Sequence, residues 1–210
     1  MSVIAGILLC CTVISFNLYS LQIPHNDSWA HSKIAQNLAQ TGNIQLVNFN
    51  RASLIGMIFP VALLGGSVIV GNLFSTFCAL LITYWIYLLC RENGGRYWSF
   101  AGILLLLFFP GFLLLSTSFM SDIPMLTGII GCLYFAQNYT QNFKKSSLFL
   151  SLVLGLWGAT VREQAIAALA AVAIALWIHR THRKIAYMYG VIGVTLFIIF
   201  EWWRRSRTIR

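Results

Sequence analysis

A carboxylate at the edge of a membrane, within reach of a hydroxyl, can take that hydroxyl's proton and make its oxygen a nucleophile. Asp27 is placed for such work. It lies in the polar stretch Pro24-His25-Asn26-Asp27-Ser28, just after a long apolar segment, and is one of five acidic residues among 210. His25 and His31 flank it, and His31 follows by one helical turn, so the spacing also allows a divalent metal held by two imidazoles and a carboxylate. Asp122, in the polar break STSFMSDIP, can orient a metal or a sugar hydroxyl. Arg162, in Val161-Arg162-Glu163-Gln164, suits a phosphate, because the guanidinium presents a planar fork of donors and stays charged in a low dielectric. Each has a plainer role beside this one. Asp27 and Asp122 can cap the helices that follow them, and Arg162 can snorkel to an interface or pair with Glu163 or a lipid headgroup.

The elements that must position these residues follow from composition. The chain is 59% hydrophobic and only 9% charged, with a mean hydropathy of +0.78. That leaves too little polar surface to cover a soluble globule, and an integral membrane protein is expected. The apolar runs are long and do not alternate, which favours helices over a barrel, so the fold class is all-α and polytopic. The net charge of +9 comes from short basic clusters flanking apolar runs, a topology signal rather than a nucleic-acid surface. The cysteines Cys10, Cys11, Cys78, Cys90 and Cys132 show no metal-type spacing and read as small apolar residues.

A first span is expected over residues 3–21, uncleaved, and Pro24 stops it. From Asp27 to Gln40 the positions Trp29 or Ala30, Ile34, Leu38 and Ala39 recur with helical spacing, and Thr41-Gly42 closes the pattern. The reading is a short helix along the interface. Residues 54–64 read as a second interfacial or half-inserted helix and residues 67–90 as a span. Two full crossings in this region are the alternative, and would invert everything downstream. Arg91 to Arg96 is a basic turn, and further spans are expected over residues 97–115 and 123–139. Residues 148–177 are apolar except around Arg162. One straight helix there would bury Arg162 near the bilayer centre at a cost of about 2.5–3.5 kcal/mol or more. A hairpin with Arg162 at its tip avoids that cost. A last span over residues 185–200 ends in Glu201-Trp202-Trp203-Arg204-Arg205.

Placing the basic turns in the cytoplasm gives a single transmembrane domain of about seven spans, with the N-terminus cytoplasmic. The first exoplasmic loop, about residues 22–66, then shares its side with Asp122 and Arg162. The C-terminal arginines fall on the side that the same rule disfavours.

Three segments resemble a known family. Ile34-Ala35-Gln36-Asn37-Leu38-Ala39-Gln40-Thr41-Gly42, after an acidic residue and the first span, is similar to the first exoplasmic loop of the GT-C membrane glycosyltransferases. The nearest branch holds protein O-mannosyltransferases and lipid A aminoarabinose transferases. Ser118-Phe119-Met120-Ser121-Asp122-Ile123-Pro124 resembles that branch's S-F-M-T-D-x-P segment, and Val161-Arg162-Glu163-Gln164 its V-R-Q or R-E-Q segment. The resemblance implies a hexosyl or pentosyl transferase of the plasma (inner) membrane and cell envelope. Its donor is a polyprenyl-phosphate-linked sugar entering from membrane lipid, its acceptor a lipid, glycan or protein hydroxyl, and Asp27 is the catalytic base. Asp122, Arg162, His25 and His31 are then substrate-binding candidates. It also implies an interfacial helix over residues 54–64, and that the chain corresponds to the N-terminal part of its relatives. Many relatives carry Asp-Glu in the first loop, where this chain has Asp27-Ser28. The competing expectation is a truncated, non-catalytic membrane protein or a small transporter, although the charges gather at span ends and no internal repeat is evident.

Overall fold

The computed structural model describes residues 23–24, 27–45, 54–178 and 183–208. The first expected span and His25 lie outside them. The described chain is helical, and no strand occurs among these residues. It divides into two compact units, Met1–Pro124 and Met125–Arg210.

In the first unit α1 runs Ser28–Thr41 and ends at Gly42, whose φ of 69° is the left-handed cap expected of a glycine there. A π-helical turn, Leu54–Ile58, continues into α2, Phe59–Leu63. At 1.5 Å per residue the described piece is about 15 Å long, half of a ~30 Å hydrocarbon core. Gly65 and Gly66 have φ of 99° and 69° and reverse the chain. A Cβ on Gly66 would fall 2.6 Å from the Ala35 carbonyl oxygen, so α1 sits directly on this turn. The close approach also explains where the helical pattern of α1 misleads. Ala30 and Ile34 are buried as their spacing predicts, but so are Ser28, His31, Ser32 and Ala35, while Trp29 and Ala39 are exposed. The helix packs through small and polar side chains in its first two turns, not through a wide apolar stripe.

Helix α3 spans Val68–Phe108, with the Ser67 side chain accepting from the Val70 N–H at its start. Gly95, at φ 79° and ψ −166°, interrupts it. A Cβ on Gly102 would meet the Cys90 sulfur and Ile86, so the two halves fold back on each other at the expected basic turn. Phe109 is extended before Pro110, as the pyrrolidine ring requires, and α4 covers Pro110–Ser116. The first half of α3 buries Gly71, Asn72, Ser75, Thr76, Ala79 and Thr83 together with Cys78, Ile82 and Trp85, and exposes Leu73, Phe77, Leu80 and Tyr84. A buried face rich in small and polar residues is how helices approach one another when lipid is the solvent.

Among the described residues four helices build the second unit. Helix α5, Asp122–Asn142, contributes all but its first three residues; α6 is Lys145–Val161, α7 Ile166–Ile178 and α8 Arg183–Thr208. The chain leaves α6 at Arg162 in an extended conformation, passes a 3-10 turn at Glu163–Ala165 and returns as α7, the expected hairpin. Gly155 packs against Leu169 across it. Cys132, Ala136, Leu169, Val172, Leu176 and Tyr189 form the core. Inside that core the Ser151 hydroxyl donates to the Cys132 carbonyl at 2.8 Å and lies 2.9 Å from the Tyr189 hydroxyl. Among the described residues two helices are long and apolar enough to cross a membrane, Val68–Phe108 and Arg183–Trp202.

Candidate functional site

Asp27 occupies the N-cap position of α1, and its backbone carbonyl accepts from the N–H groups of Ala30 at 3.1 Å and His31 at 3.4 Å. Its side chain makes no capping hydrogen bond and is exposed. The simple capping role is therefore unused, and the carboxylate stands at the positive end of a helix dipole, where a negative charge is favoured.

One helical turn on, His31 points inward. It is only 6% exposed, and its Nδ1 lies 3.3 Å from the carbonyl oxygen of Phe119, so Nδ1–H is the donor. The N–H of the same residue donates to Asn72 Oδ1 at 2.8 Å. The Phe119 ring is fully buried, edge-on to His31 at 6.0 Å and to Phe74 at 6.3 Å between centroids. A Cβ on Gly71 would lie 2.7 Å from that ring, so the glycine is what admits it. The Thr76 hydroxyl adds a tie, 3.0 Å from both the Asn72 and Ser116 carbonyls. Phe119 thus joins α1, α3 and the turn that leads into α5, which opens at the half-buried Asp122.

Of the residues singled out by sequence, the structure brings together His31 and the segment carrying Asp122. His25 lies outside the described residues. Arg162 belongs to the second unit, where its backbone N–H donates to the Gly158 carbonyl at 2.9 Å and its own carbonyl accepts from Ala165 at 3.0 Å; the residue is half-exposed at the hairpin tip. Among the described residues no three His, Cys, Asp or Glu side chains lie close enough to hold a metal ion. Asn72 and Gly71 read by pattern only as interruptions of an apolar run. The available signal was physical: a carboxamide inside such a run must find a partner.

The hydroxyls of Ser28, Ser32, Ser75 and Ser118 are buried without a hydrogen-bond partner among the described residues, and all lie on the segments that meet at Phe119. A buried orphan hydroxyl costs about 1–3 kcal/mol. Ser75→Ala is therefore expected to leave thermal stability unchanged or raise it by about 1 kcal/mol. A drop in the unfolding midpoint would show that the hydroxyl has a partner.

The sequence profile of the dolichyl-phosphate-mannose-protein mannosyltransferase family matches residues 54–203. The match includes Asp122 and Arg162 and begins after Asp27. No curated protein and no solved structure matches the chain. A match over most of the 210 residues, on a chain whose described elements are all helices and whose helix breaks carry Asp122 and Arg162, means that the chain belongs to the dolichyl-phosphate-mannose-protein mannosyltransferase family, among the GT-C glycosyltransferases.

Proposed function

We propose that the protein transfers a sugar from a polyprenyl-phosphate donor to a hydroxyl acceptor at the exoplasmic face of the membrane, with Asp27 as general base. The observation that carries this reading is the Asp27 carboxylate, exposed and free of the capping bond its position offers. It stands at the start of a helix whose next turn is anchored through His31. Family membership supports the reaction class. The family description names a dolichyl-phosphate sugar, a relative of the donor proposed here.

In the proposed step the Asp27 carboxylate takes the acceptor's O–H proton as its oxygen attacks the anomeric carbon. A new C–O bond forms, the bond from that carbon to the phosphate oxygen breaks, and the electron pair leaves with the polyprenyl phosphate. Asp122 is assigned to an acceptor or sugar hydroxyl, through charge-assisted hydrogen bonds. For Arg162 the proposed role is to bind the donor phosphate, with its charge offsetting that of the leaving group. His25 is kept as a substrate-binding candidate. The topology that accompanies this reading has about seven spans with the N-terminus in the cytoplasm of an inner membrane.

The full chain reconstituted in proteoliposomes with labelled polyprenyl-phosphate mannose tests the reaction. Label is expected to move from the lipid phase to a hydroxyl acceptor drawn from Ser/Thr peptides, glycans and lipid extract. Donor that stays intact with every acceptor rejects the transferase reading.

A further inference from the structure

We infer that Asn72 and His31 are positioning residues, which act through Phe119 to hold the Asp27 turn and the Asp122 turn in one arrangement. The inference rests on the proposal that these carboxylates face the substrates.

Phe119 lies in a short non-helical link between α4 and α5, where the chain turns so tightly that the Met120 N–H reaches the Ser118 carbonyl at 2.7 Å. Outside a helix the Phe119 backbone groups lack helical partners, and a buried group left unpaired is costly. Both groups of Phe119 are instead taken by side chains from two other helices. Asn72, 47 residues away, accepts from its N–H, and His31, 88 residues away, donates to its carbonyl. The ring fills the space left by Gly71 and is fully buried. Asp122 opens α5 three residues after this anchored point, and Asp27 lies one helical turn before His31. A shift of the Phe119 backbone therefore moves Asp122 directly and reaches Asp27 through the imidazole. Two carboxylates serving one reaction need placement to within a fraction of an ångström, since a misplacement of about 1 Å can cost ~100-fold in rate.

The test combines hydrogen exchange on the full chain in nanodiscs with the transfer assay. Asn72→Leu and His31→Phe, which keep side-chain bulk and remove the polar contact, are each expected to speed exchange across residues 117–122 by about tenfold. Asn72→Leu is also expected to speed exchange across residues 28–32, an effect relayed through Phe119. Both variants should lower kcat by about 10- to 100-fold while donor KM stays within about twofold. His31→Asn places an amide N–H near the Nδ1 position and should restore both readouts.

Unchanged exchange in residues 117–122 overturns the inference. So does faster exchange with wild-type kcat, because the contacts would then be structural only. A rise in KM at constant kcat overturns it as well, in favour of direct substrate contact. A wild-type chain that turns over no donor rejects the transferase reading, and the coupling between the two turns then stands or falls on the exchange response alone.

Discussion

Replacing Asp27 with Asn is expected to lower sugar transfer by about 10²- to 10⁴-fold, the usual contribution of a positioned general base, with no loss of folding. The two halves of that expectation come from different parts of the residue. The helix start is held by the Asp27 backbone carbonyl, which receives the N–H groups of Ala30 and His31 and is untouched by the substitution. The side chain makes no capping bond and is exposed, so among the described residues the substitution breaks no hydrogen bond. Asn is itself a favoured N-cap residue, so α1 should lose no more than the about 0.3–1 kcal/mol that the charge contributes at the helix start. What the substitution takes away is an acceptor for the proton of the incoming hydroxyl. The measurement is kcat in proteoliposomes with polyprenyl-phosphate mannose, beside the unfolding midpoint of the same preparation. Full turnover in Asp27→Asn would remove Asp27 from the reaction, and a lost midpoint would assign it to the fold instead.

The largest stability effect is expected at Gly128. A Cβ there would sit 2.5 Å from the Gly158 Cα and 2.8 Å from the Gly158 nitrogen and the Leu154 carbonyl oxygen. These are backbone atoms of the facing helix, which no rotamer change can move aside. Gly128→Ala must therefore push α5 and α6 apart, at a cost at or above the ~3 kcal/mol top of the usual overpacking range. Gly155→Ala meets Leu169, a flexible side chain, and should cost about 1 kcal/mol. Gly190→Ala meets only Ala173 Cβ, at an ordinary 3.6 Å, and should gain about 0.5–1 kcal/mol from reduced backbone freedom. Unfolding midpoints in detergent should rise from Gly128→Ala through Gly155→Ala to Gly190→Ala. Equal midpoints for Gly128→Ala and Gly190→Ala would mean that the helix crossing is not close.

The two experiments probe different levels of the chain. Helix crossings at small residues gather buried surface where lipid supplies no hydrophobic drive between helices. On that frame Asp27, Asp122 and Arg162, the residues proposed to serve the reaction, sit at helix breaks. The Cys132, Ser151 and Tyr189 contacts in the core of the second unit serve the frame, being buried and mutually satisfied.

Residues whose cost does not depend on what they touch made much of this legible in the sequence. Gly42 ends α1, Pro110 forces Phe109 out of the helix, and the chain breaks at Arg162 because a charge inside a continuous apolar helix is expensive. The short helix around residues 54–63 and the basic turn at Gly95 are local in the same way. The three segments that resemble the GT-C enzymes were likewise visible as strings. What the tertiary structure alone decided is which of those strings meet. His31 looked like a polar neighbour of Asp27 at a wet surface, and it is buried on Phe119 instead. Asn72 looked like a blemish in an apolar run, and it holds the backbone of a residue 47 positions away. No local period encodes such partnerships, because a buried polar group is satisfied by whichever segment the packing brings to it. Asp27 as a carboxylate at a helix start is a property of the sequence. That its next turn is tied, through Phe119, to the turn that carries Asp122 is a property of the fold.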